Sequence, residues 1–233
     1  MKCIIASTST LHGSSYLAYL LPEIQNFFSL PKQLLFIPYA RPGGISYKEY
    51  TQKAKTAFQQ IGVDVKGIHE FSSPQKAIEE AQFIFTGGGN TFLLVKTLHE
   101  LNVMQTLKNA IINGTNYLGT SAGSNICGVN MKTTNDMPIV YPPSFNTLQI
   151  LNFNINPHYL DPQPNSTHKG ETRETRIIEF LHQNTTPVIG LREGSWIEVN
   201  HEEIHLRGKL KARIFESPNQ IYEIQPNHSL KNL

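Results

Sequence analysis

Short apolar runs alternate with longer helical patterns in the first half of the chain, and this alternation restricts the fold more than any other feature. Four short apolar runs lie at 2–6, 33–37, 83–86 and 117–120, and a further short strand is predicted at 64–67. Between them, apolar side chains recur at helical spacing at 15–28, 47–61, 74–81, 91–101 and 103–113. Strands that alternate with helices form a parallel sheet covered by helices. The sequence therefore predicts an α/β fold.

The second half of the chain follows a different pattern. Residues 130–164 are rich in Asn, Pro and Thr and contain six prolines, which excludes one long helix. We predict loops there with one or two short strands, and a loop this long inside a compact domain is usually functional. A helix is predicted at 171–183, and short strands at 188–191, 196–199, 203–206, 212–215 and 221–224 suggest a terminal antiparallel meander. Without a repeat or linker, we expect one domain over 1–233.

The composition excludes several classes of protein. The 233 residues include 20 Lys and Arg against 18 Asp and Glu, without the basic stripe that nucleic-acid binding requires. No stretch approaches 18 consecutive apolar residues, so no membrane span is predicted, and the apolar run near residue 1 is too short for a signal peptide. Cys3 and Cys127 form no CxxC pair, which predicts buried thiols in a reducing compartment. We expect a cytoplasmic protein.

A G-x-S-x-G motif at 119–123 is the strongest signal of chemistry. It centres on Ser121, at the end of a predicted strand and before a helix. A serine on such a tight turn exposes its hydroxyl as a nucleophile, and the following helix N-terminus offers N–H groups to an oxyanion. The alternative is that Ser121 only caps the helix. The strand context favours the nucleophile.

Three glycines at 87–89 follow another predicted strand. Their N–H groups can face an anion, although the segment lacks the Lys-Ser/Thr of a P-loop and the spacing of a dinucleotide-binding loop. The alternative is a tight turn with a helix cap at Asn90. Because the carboxyl ends of parallel strands form the sites of such sheets, we expect these glycines to lie near Ser121.

The candidate base and acids follow Ser121 in the chain. His158 stands out among nine histidines because Pro157 precedes it in the loop-rich segment, and His168 is a competitor. Asp136 and Glu193 could each orient a histidine or bind a substrate ammonium group. Each could instead be an ordinary turn carboxylate, and the spacing leaves these alternatives open.

Six segments in this order together resemble the peptidase E family, the aspartyl dipeptidases among the serine peptidases. The segments are FTGGGNTF at 85–92, YLGTSAGSN at 117–125, KTTNDMPIV at 132–140, INPHY at 155–159, HKGETRETRI at 168–177 and VIGLREGSWIEV at 188–199. The resemblance covers nearly the whole chain and is weakest after Val199. One departure is Arg192, where some relatives have proline before the glutamate.

The resemblance implies a flavodoxin-like α/β fold related to class I glutamine amidotransferases, with a C-terminal antiparallel extension. It implies Ser121 as nucleophile and His158 as general base. Asp136 is then a charge-relay or site-shaping acid, and Glu193 is the competing acid on His158. Whichever acid does not serve His158 can receive the substrate's α-amino group.

The resemblance also implies the reaction: hydrolysis of dipeptides and short peptides with an N-terminal Asp through an acyl-enzyme, without a metal or cofactor. Backbone N–H groups of Ala122 and of Gly88 or Gly89 are expected to hold the oxyanion. Arg173 is the candidate for the Asp β-carboxylate, an inference from its charge, and Asn90 is a further substrate-binding candidate. As an alternative, Arg173 lies on a solvated helix face.

Three other functions stay open at this point. A cyanophycinase-like hydrolase of acidic peptides belongs to the same superfamily. A general esterase is disfavoured because His158 follows Ser121 by only 37 residues, with 75 residues still to come, whereas the histidine of that fold comes late. A non-enzymatic anion-binding protein would use the glycines alone. The chain could act as a monomer or a homodimer.

Overall fold

The computed structural model describes residues 1–162 and 170–233. Within these ranges the chain forms eleven strands and seven helices. The strands are β1 Lys2–Ala6, β2 Gln33–Ile37, β3 Asp64–Gly67, β4 Phe83–Thr86, β5 Asn116–Thr120, β6 Asn154–Pro157, β7 Val188–Leu191, β8 Ser195–Asn200, β9 Glu203–Gly208, β10 Ala212–Ser217 and β11 Gln220–Ile224. The helices are α1 Leu21–Phe27, α2 Tyr47–Phe58, α3 Pro74–Glu80, α4 Thr91–Glu100, α5 Met104–Ile112, α6 Ala122–Asn125 and α7 Arg173–Gln183.

The central sheet has seven strands in the order β3-β2-β4-β5-β1-β8-β9. The first five are parallel, which confirms the predicted α/β fold and the five predicted strand positions. Parallel neighbours place their carboxyl ends at one edge. The ends of β1, β4 and β5 therefore lie side by side, and this edge carries the candidate site.

The inner strands of the sheet present alternate side chains to two apolar layers. Ile4 packs with α1 and α2 on one face, whereas Ile5 packs with α3, α4 and α5 on the other. Phe83 and Phe85 belong to the first layer and Ile84 to the second. Burial on both faces explains why these strands are continuous apolar runs rather than alternating ones.

The first predicted helix is shorter than its apolar pattern indicates. Helix α1 begins at Leu21, and Pro22 lies in its first turn. Proline is favoured in the first turn of a helix, because the N–H that it lacks has no partner there, but not further inside. Residues 16–20 instead form turns, in which Leu17 has φ 60°.

The predicted terminal meander is wrong, because the last strands divide between two sheets. β8 pairs antiparallel with β1, and β9 follows β8 at the edge of the central sheet. β10 and β11 instead join β7 and β6 in a second sheet of order β11-β10-β7-β6. β8 thereby covers the backbone groups that β1 would otherwise expose at an open edge. The predicted antiparallel extension is present in this divided form.

Two smaller expectations concern the membrane and the cysteines. In the described ranges, no helix has both the length and the apolar character needed to cross a bilayer. Cys3 and Cys127 are free and buried, as predicted, and burial raises the pKa of the Cys3 thiol to about 12.

Candidate active site

Ser121 occupies a strained turn between β5 and α6. Its backbone has φ 55° and ψ −111°, a conformation that costs a non-glycine residue about 1–3 kcal/mol and is concentrated at functional sites. Its N–H donates to the Ala6 carbonyl at 3.1 Å, which ties the turn to the end of β1. The Ser121 side chain makes no capping hydrogen bond to α6, so the alternative that it is a helix cap does not match the structure.

The two glycines of the G-x-S-x-G motif are required by close backbone contacts. A Cβ on Gly123 would lie 2.2 Å from the Thr86 carbonyl oxygen, and one on Gly119 would lie 2.4 Å from the Gly123 oxygen. Neither distance is sterically possible. The motif therefore lets the end of β5 and the start of α6 pack directly against the end of β4.

His158 reaches Ser121 from the segment after β6. Its Nε2 lies 2.8 Å from the Ser121 Oγ, and its backbone also has a positive φ of 54°. The His158 N–H donates to the Ser7 hydroxyl at 2.9 Å, and that hydroxyl donates to the Leu191 carbonyl at 2.7 Å. The sequence reasoning missed Ser7. The sequence did contain an indication of its position, because Ser7 is the first polar residue after the apolar run of β1.

Glu193 completes the contact chain on the far side of the imidazole. Its Oε1 lies 2.6 Å from His158 Nδ1. The side chain of His158 is 33% exposed and that of Glu193 is 45% exposed. The expectation that Asp136 relays charge to His158 does not match this geometry, because Glu193 occupies the Nδ1 position. Of the two acids that the sequence left open, the structure brings only Glu193 to the imidazole.

Asp136 lies instead at the N-terminus of α4. Its Oδ2 accepts hydrogen bonds from the Thr91 N–H at 2.7 Å, the Thr91 hydroxyl at 2.6 Å and the Thr134 hydroxyl at 3.0 Å. A carboxylate is stabilised there by free N–H groups and the helix dipole. Asp136 therefore shapes the segment next to residues 87–89, the Gly-rich loop.

Asn90 uses both side-chain polar atoms within the protein. Its Oδ1 accepts from the Leu93 N–H at 3.0 Å as the cap of α4, and its Nδ2 donates to the Met137 carbonyl at 2.9 Å. These bonds join the Gly-rich loop to the segment of Asp136. A direct role of Asn90 in substrate binding stays a prediction.

Gly88 borders the Ser121 side chain, and the other two expected oxyanion donors, Gly89 and Ala122, adjoin Gly88 and Ser121 in the chain. A Cβ on Gly88 would lie 2.9 Å from the Ser121 Cβ, so the loop passes against the serine. The three N–H groups donate to no protein acceptor in the part of the chain that the structure describes. The Gly88 carbonyl accepts from the Tyr50 hydroxyl at 3.2 Å. Because that trans peptide points its carbonyl towards Tyr50, the Gly89 N–H points away from it.

Arg173 is the first residue of α7 and lies near Asp136. Its Nε is buried and has no hydrogen-bond partner among the described residues. Burial and the neighbouring Arg176 lower the pKa of the Arg173 guanidinium, whereas Asp136 raises it. This cation is therefore partly desolvated in the free protein. The competing His168 lies outside the described residues.

Arg192 joins the segments that carry His158 and Glu193. Its guanidinium donates to Asp161 at 2.6 and 2.8 Å and to Glu223 at 2.8 and 2.9 Å. Asp161 follows His158 by three residues, and Arg192 directly precedes Glu193. Its bonds therefore hold the two segments together.

We expect Arg192→Met to lower the free energy of unfolding by about 1–2 kcal/mol at pH 7, a value reduced because Asp161 is 54% exposed. Hydrogen bonds from Arg192 hold the pKa of the Asp161 carboxyl below its usual value, although burial opposes them. Burial raises the pKa of Glu223, but bonds from Arg192 and Arg213 outweigh it and lower that pKa overall.

The pH dependence has a defined sign. A lowered folded-state pKa adds stability above the unfolded value, near 4, and that stability is lost as the pH falls through the folded value. Thermal unfolding of wild type and Arg192→Met at pH 7 and pH 3 measures it. The difference should be largest at pH 7, and a difference that grows towards pH 3 would contradict this role.

Within the described ranges, no cluster of three or more His, Cys, Asp or Glu side chains could hold a metal ion. The serine, the histidine and the glutamate are joined in the order that serine hydrolases use. They stand at the carboxyl edge of a parallel sheet, where α/β proteins bind their ligands. Fold and site together define a hydrolase of the serine type.

Comparisons with known proteins identify the family. The model of peptidase family S51 matches residues 3–207. The chain is 43% identical over 233 residues to peptidase E of Streptomyces coelicolor, covering all of this chain and 95% of that protein. It is 40% identical to a Drosophila melanogaster protein named "Probable alpha-aspartyl dipeptidase", covering 96% of this chain and 93% of that one. The chain belongs to peptidase family S51.

A solved structure supports the fold independently. A crystal structure of a peptidase from an acI-B1 Actinobacterium matches with a TM-score of 0.68 at 17% identity, covering 98% of this chain and 96% of that one. The fold is thus of the flavodoxin-like type, as the resemblance implied.

Proposed function

We propose that this protein is a serine dipeptidase that hydrolyses dipeptides with an N-terminal Asp through an acyl-enzyme on Ser121. The observation that carries the proposal is the contact chain from Ser121 through His158 to Glu193. The names of the Streptomyces and Drosophila relatives support the substrate class.

His158 acts as the general base in this mechanism. Its Nε2 is in hydrogen-bond reach of the Ser121 hydroxyl, takes the proton as Oγ attacks the carbonyl of the Asp residue, and returns a proton to the leaving amine. Glu193 accepts the Nδ1–H bond, which selects the tautomer with a free Nε2 and stabilises the imidazolium. Water then hydrolyses the acyl-enzyme by the same route.

Backbone N–H groups of Gly89 and Ala122 hold the oxyanion, with Gly88 as the alternative donor on the loop. The orientation of the Gly88–Gly89 peptide supports Gly89, since its N–H points away from the buried Tyr50. Ala122 supplies the first N–H of α6, a group without a partner inside the helix. One donor of this kind contributes about 2.7–4 kcal/mol to catalysis.

Arg173 and Asp136 together suit the charges of an N-terminal Asp residue. Arg173 binds the β-carboxylate with its planar guanidinium. Asp136 receives the α-ammonium group, which deepens the site-shaping role of that carboxylate. A neutral side chain would leave the guanidinium desolvated and unpaired, so the site rejects it.

Arg173→Met is expected to lower kcat/KM for Asp-Leu by about 10- to 100-fold, because a charge-assisted hydrogen bond contributes about 1.5–3 kcal/mol. Activity on Asn-Leu, whatever its level, should change by less than about threefold. Steady-state kinetics on both dipeptides measures the difference, with Arg173→Lys as the charge-retaining comparison. Equal losses on Asp-Leu and Asn-Leu would place the β-carboxylate elsewhere.

Hydrolysis of a dipeptide panel tests the proposed function. The panel is Asp-Leu, Glu-Leu, Asn-Leu, Leu-Leu and β-Asp-Leu, assayed by release of free leucine. We expect turnover confined to Asp-Leu. Silence on the whole panel, with turnover of a polymer of aspartyl-arginine units, would establish the cyanophycinase-like alternative. Failure of a serine-directed reagent to label Ser121 would favour a binding protein.

The remaining expectations form part of the same proposal. The chain acts as one catalytic domain in the cytoplasm, as a monomer or a homodimer. Its substrates are small acidic dipeptides, and catalysis needs no metal or cofactor because the serine, histidine and backbone donors supply each step. Full activity after dialysis against a chelator would agree with this expectation.

A further inference from the structure

Arg41 lies beside the Gly-rich loop and has no part in the acyl-transfer chemistry of Ser121. It follows Ala40, whose carbonyl accepts a hydrogen bond from the Asn90 N–H at 2.6 Å. A Cβ on Gly89 would lie only 2.1 Å from that carbonyl oxygen, so the two segments are in direct contact. Because β2 and β4 are neighbours, Arg41 borders the same edge of the sheet as Ser121.

The Arg41 guanidinium is held over an aromatic ring. Its Cζ lies 4.5 Å from the centroid of the Tyr50 ring, which is fully buried. The Tyr50 hydroxyl donates to the Gly88 carbonyl at 3.2 Å, and Gly88 packs against the Ser121 side chain. Arg41 is therefore connected to the nucleophile through one tyrosine and one glycine.

Arg41 lacks an anionic partner within residues 1–162 and 170–233. Its Nε is buried without a hydrogen-bond acceptor, and it forms no ion pair with a described carboxylate. Leaving a partly desolvated charge unpaired is unfavourable. The cation–π contact keeps the guanidinium ordered, and its planar fork matches a carboxylate.

The proposed substrate has one carboxylate that no residue has yet been assigned to bind. A dipeptide with N-terminal Asp carries a β-carboxylate, assigned to Arg173, and a C-terminal carboxylate on the leaving residue. The second lies about one residue length, roughly 3.8 Å, beyond the carbonyl that Ser121 attacks. We propose that Arg41 binds this C-terminal carboxylate.

This inference rests on the proposed function and adds a second element of specificity, the length of the peptide. In a longer peptide, the position of the C-terminal carboxylate is taken by a neutral amide. That amide would leave the Arg41 guanidinium unpaired, so transition-state binding is weakened. Arg41 thereby makes the enzyme prefer dipeptides.

Two substrates that differ only in this group provide the test. We compare kcat/KM for Asp-Leu and Asp-Leu amide in wild type, Arg41→Met and Arg41→Lys. The wild type should prefer the free acid by about 10- to 100-fold. Arg41→Met should lose most of this preference through slower turnover of the acid, while the amide changes by less than about twofold. The preference of Arg41→Lys for the free acid should lie between those of the wild type and Arg41→Met.

Lys53→Met is the matched control. Lys53 Nζ lies 4.8 Å from the centroid of the Tyr16 ring, so this variant also removes a cation from a tyrosine, yet on the exposed face of α2. It should keep the acid preference. Thermal unfolding checks that each variant is folded, and Arg41→Lys retains the cation if Arg41→Met is unstable.

Three results separate the possible failures. Equal losses on acid and amide, or a wild type that does not distinguish them, would overturn the role of Arg41. If Arg41→Met loses the preference for Asp-Leu over Asn-Leu, Arg41 binds the β-carboxylate instead, and the proposal is overturned as well. If the wild type hydrolyses neither substrate, the proposed function itself fails, and this inference fails with it.

Discussion

Replacing Ser121 with alanine should lower kcat for Asp-Leu by about 10⁵-fold or more, the loss found when a serine hydrolase loses its nucleophile. The remaining groups still bind the substrate and polarise its carbonyl, but no acyl-enzyme can form. KM should change little. Single-turnover kinetics measures the loss, and mass spectrometry after a serine-directed reagent should show a covalent adduct on the wild type alone.

The fold of Ser121→Ala should be intact. The Ser121 N–H and carbonyl, not its hydroxyl, make the bonds to Ala6, Ser124 and Asn125 that hold the turn. The exposed Ser72 provides a control, because Ser72→Ala removes a hydroxyl from the surface and should keep full activity. Retention of more than 1% of wild-type turnover by Ser121→Ala would remove Ser121 from the mechanism.

Glu193→Gln should lower kcat by about 10³- to 10⁴-fold, because an amide can no longer stabilise the imidazolium and can hold His158 in the wrong tautomer. Asp136→Asn should lower kcat by less than about tenfold and raise KM, since Asp136 lies at α4 and not at the imidazole. Comparing kcat and KM of the two variants separates their roles.

The isosteric pair Glu193→Gln and Asp136→Asn provides its own control, since each removes one negative charge near the site. Asp136→Asn should also lower the free energy of unfolding by about 1 kcal/mol, because an amide oxygen is a weaker acceptor than a carboxylate for the N–H groups at the start of α4. A larger kcat loss in Asp136→Asn than in Glu193→Gln would reverse the assignment of the two acids.

Ser121 and His158 are tied to the same part of the fold. Ser121 and His158 both have positive φ values, and both are held by bonds to the segment at the end of β1. Ser121 donates its N–H to Ala6, and His158 donates its N–H to Ser7. The end of β1 thus holds both side chains in hydrogen-bond geometry, which pre-orders the pair before the substrate arrives.

Local sequence patterns predicted the strands and helices whose position depends on one local feature, such as an apolar run or a helix cap. Four of the five parallel strands, all except the edge strand β3, are buried on both faces, so their apolar runs alone mark the positions. Helix α4 starts after Asn90 because that side chain caps it, and such a cap can be recognised from sequence. The tail strands were found, but not their partners. Pairing depends on which open edge a strand can cover, and no local pattern records that.

The sequence by itself determined the class of fold, the turn that carries Ser121 and the Gly-rich loop beside it, because each depends on residues adjacent in the chain. It also marked His158, Asp136, Glu193 and Arg173 as candidates, with two acids left open for one position.

Only the tertiary structure shows where those two acids lie relative to His158. It brings Glu193 to within 2.6 Å of His158 across 35 residues of chain, and it holds Asp136 at the helix start. It alone shows that Arg41, next to the loop, has no anionic partner among the described residues. The physical reason is that hydrogen bonds and ion pairs between distant segments depend on how the strands are ordered in the sheet, and that order is a property of the whole packed chain.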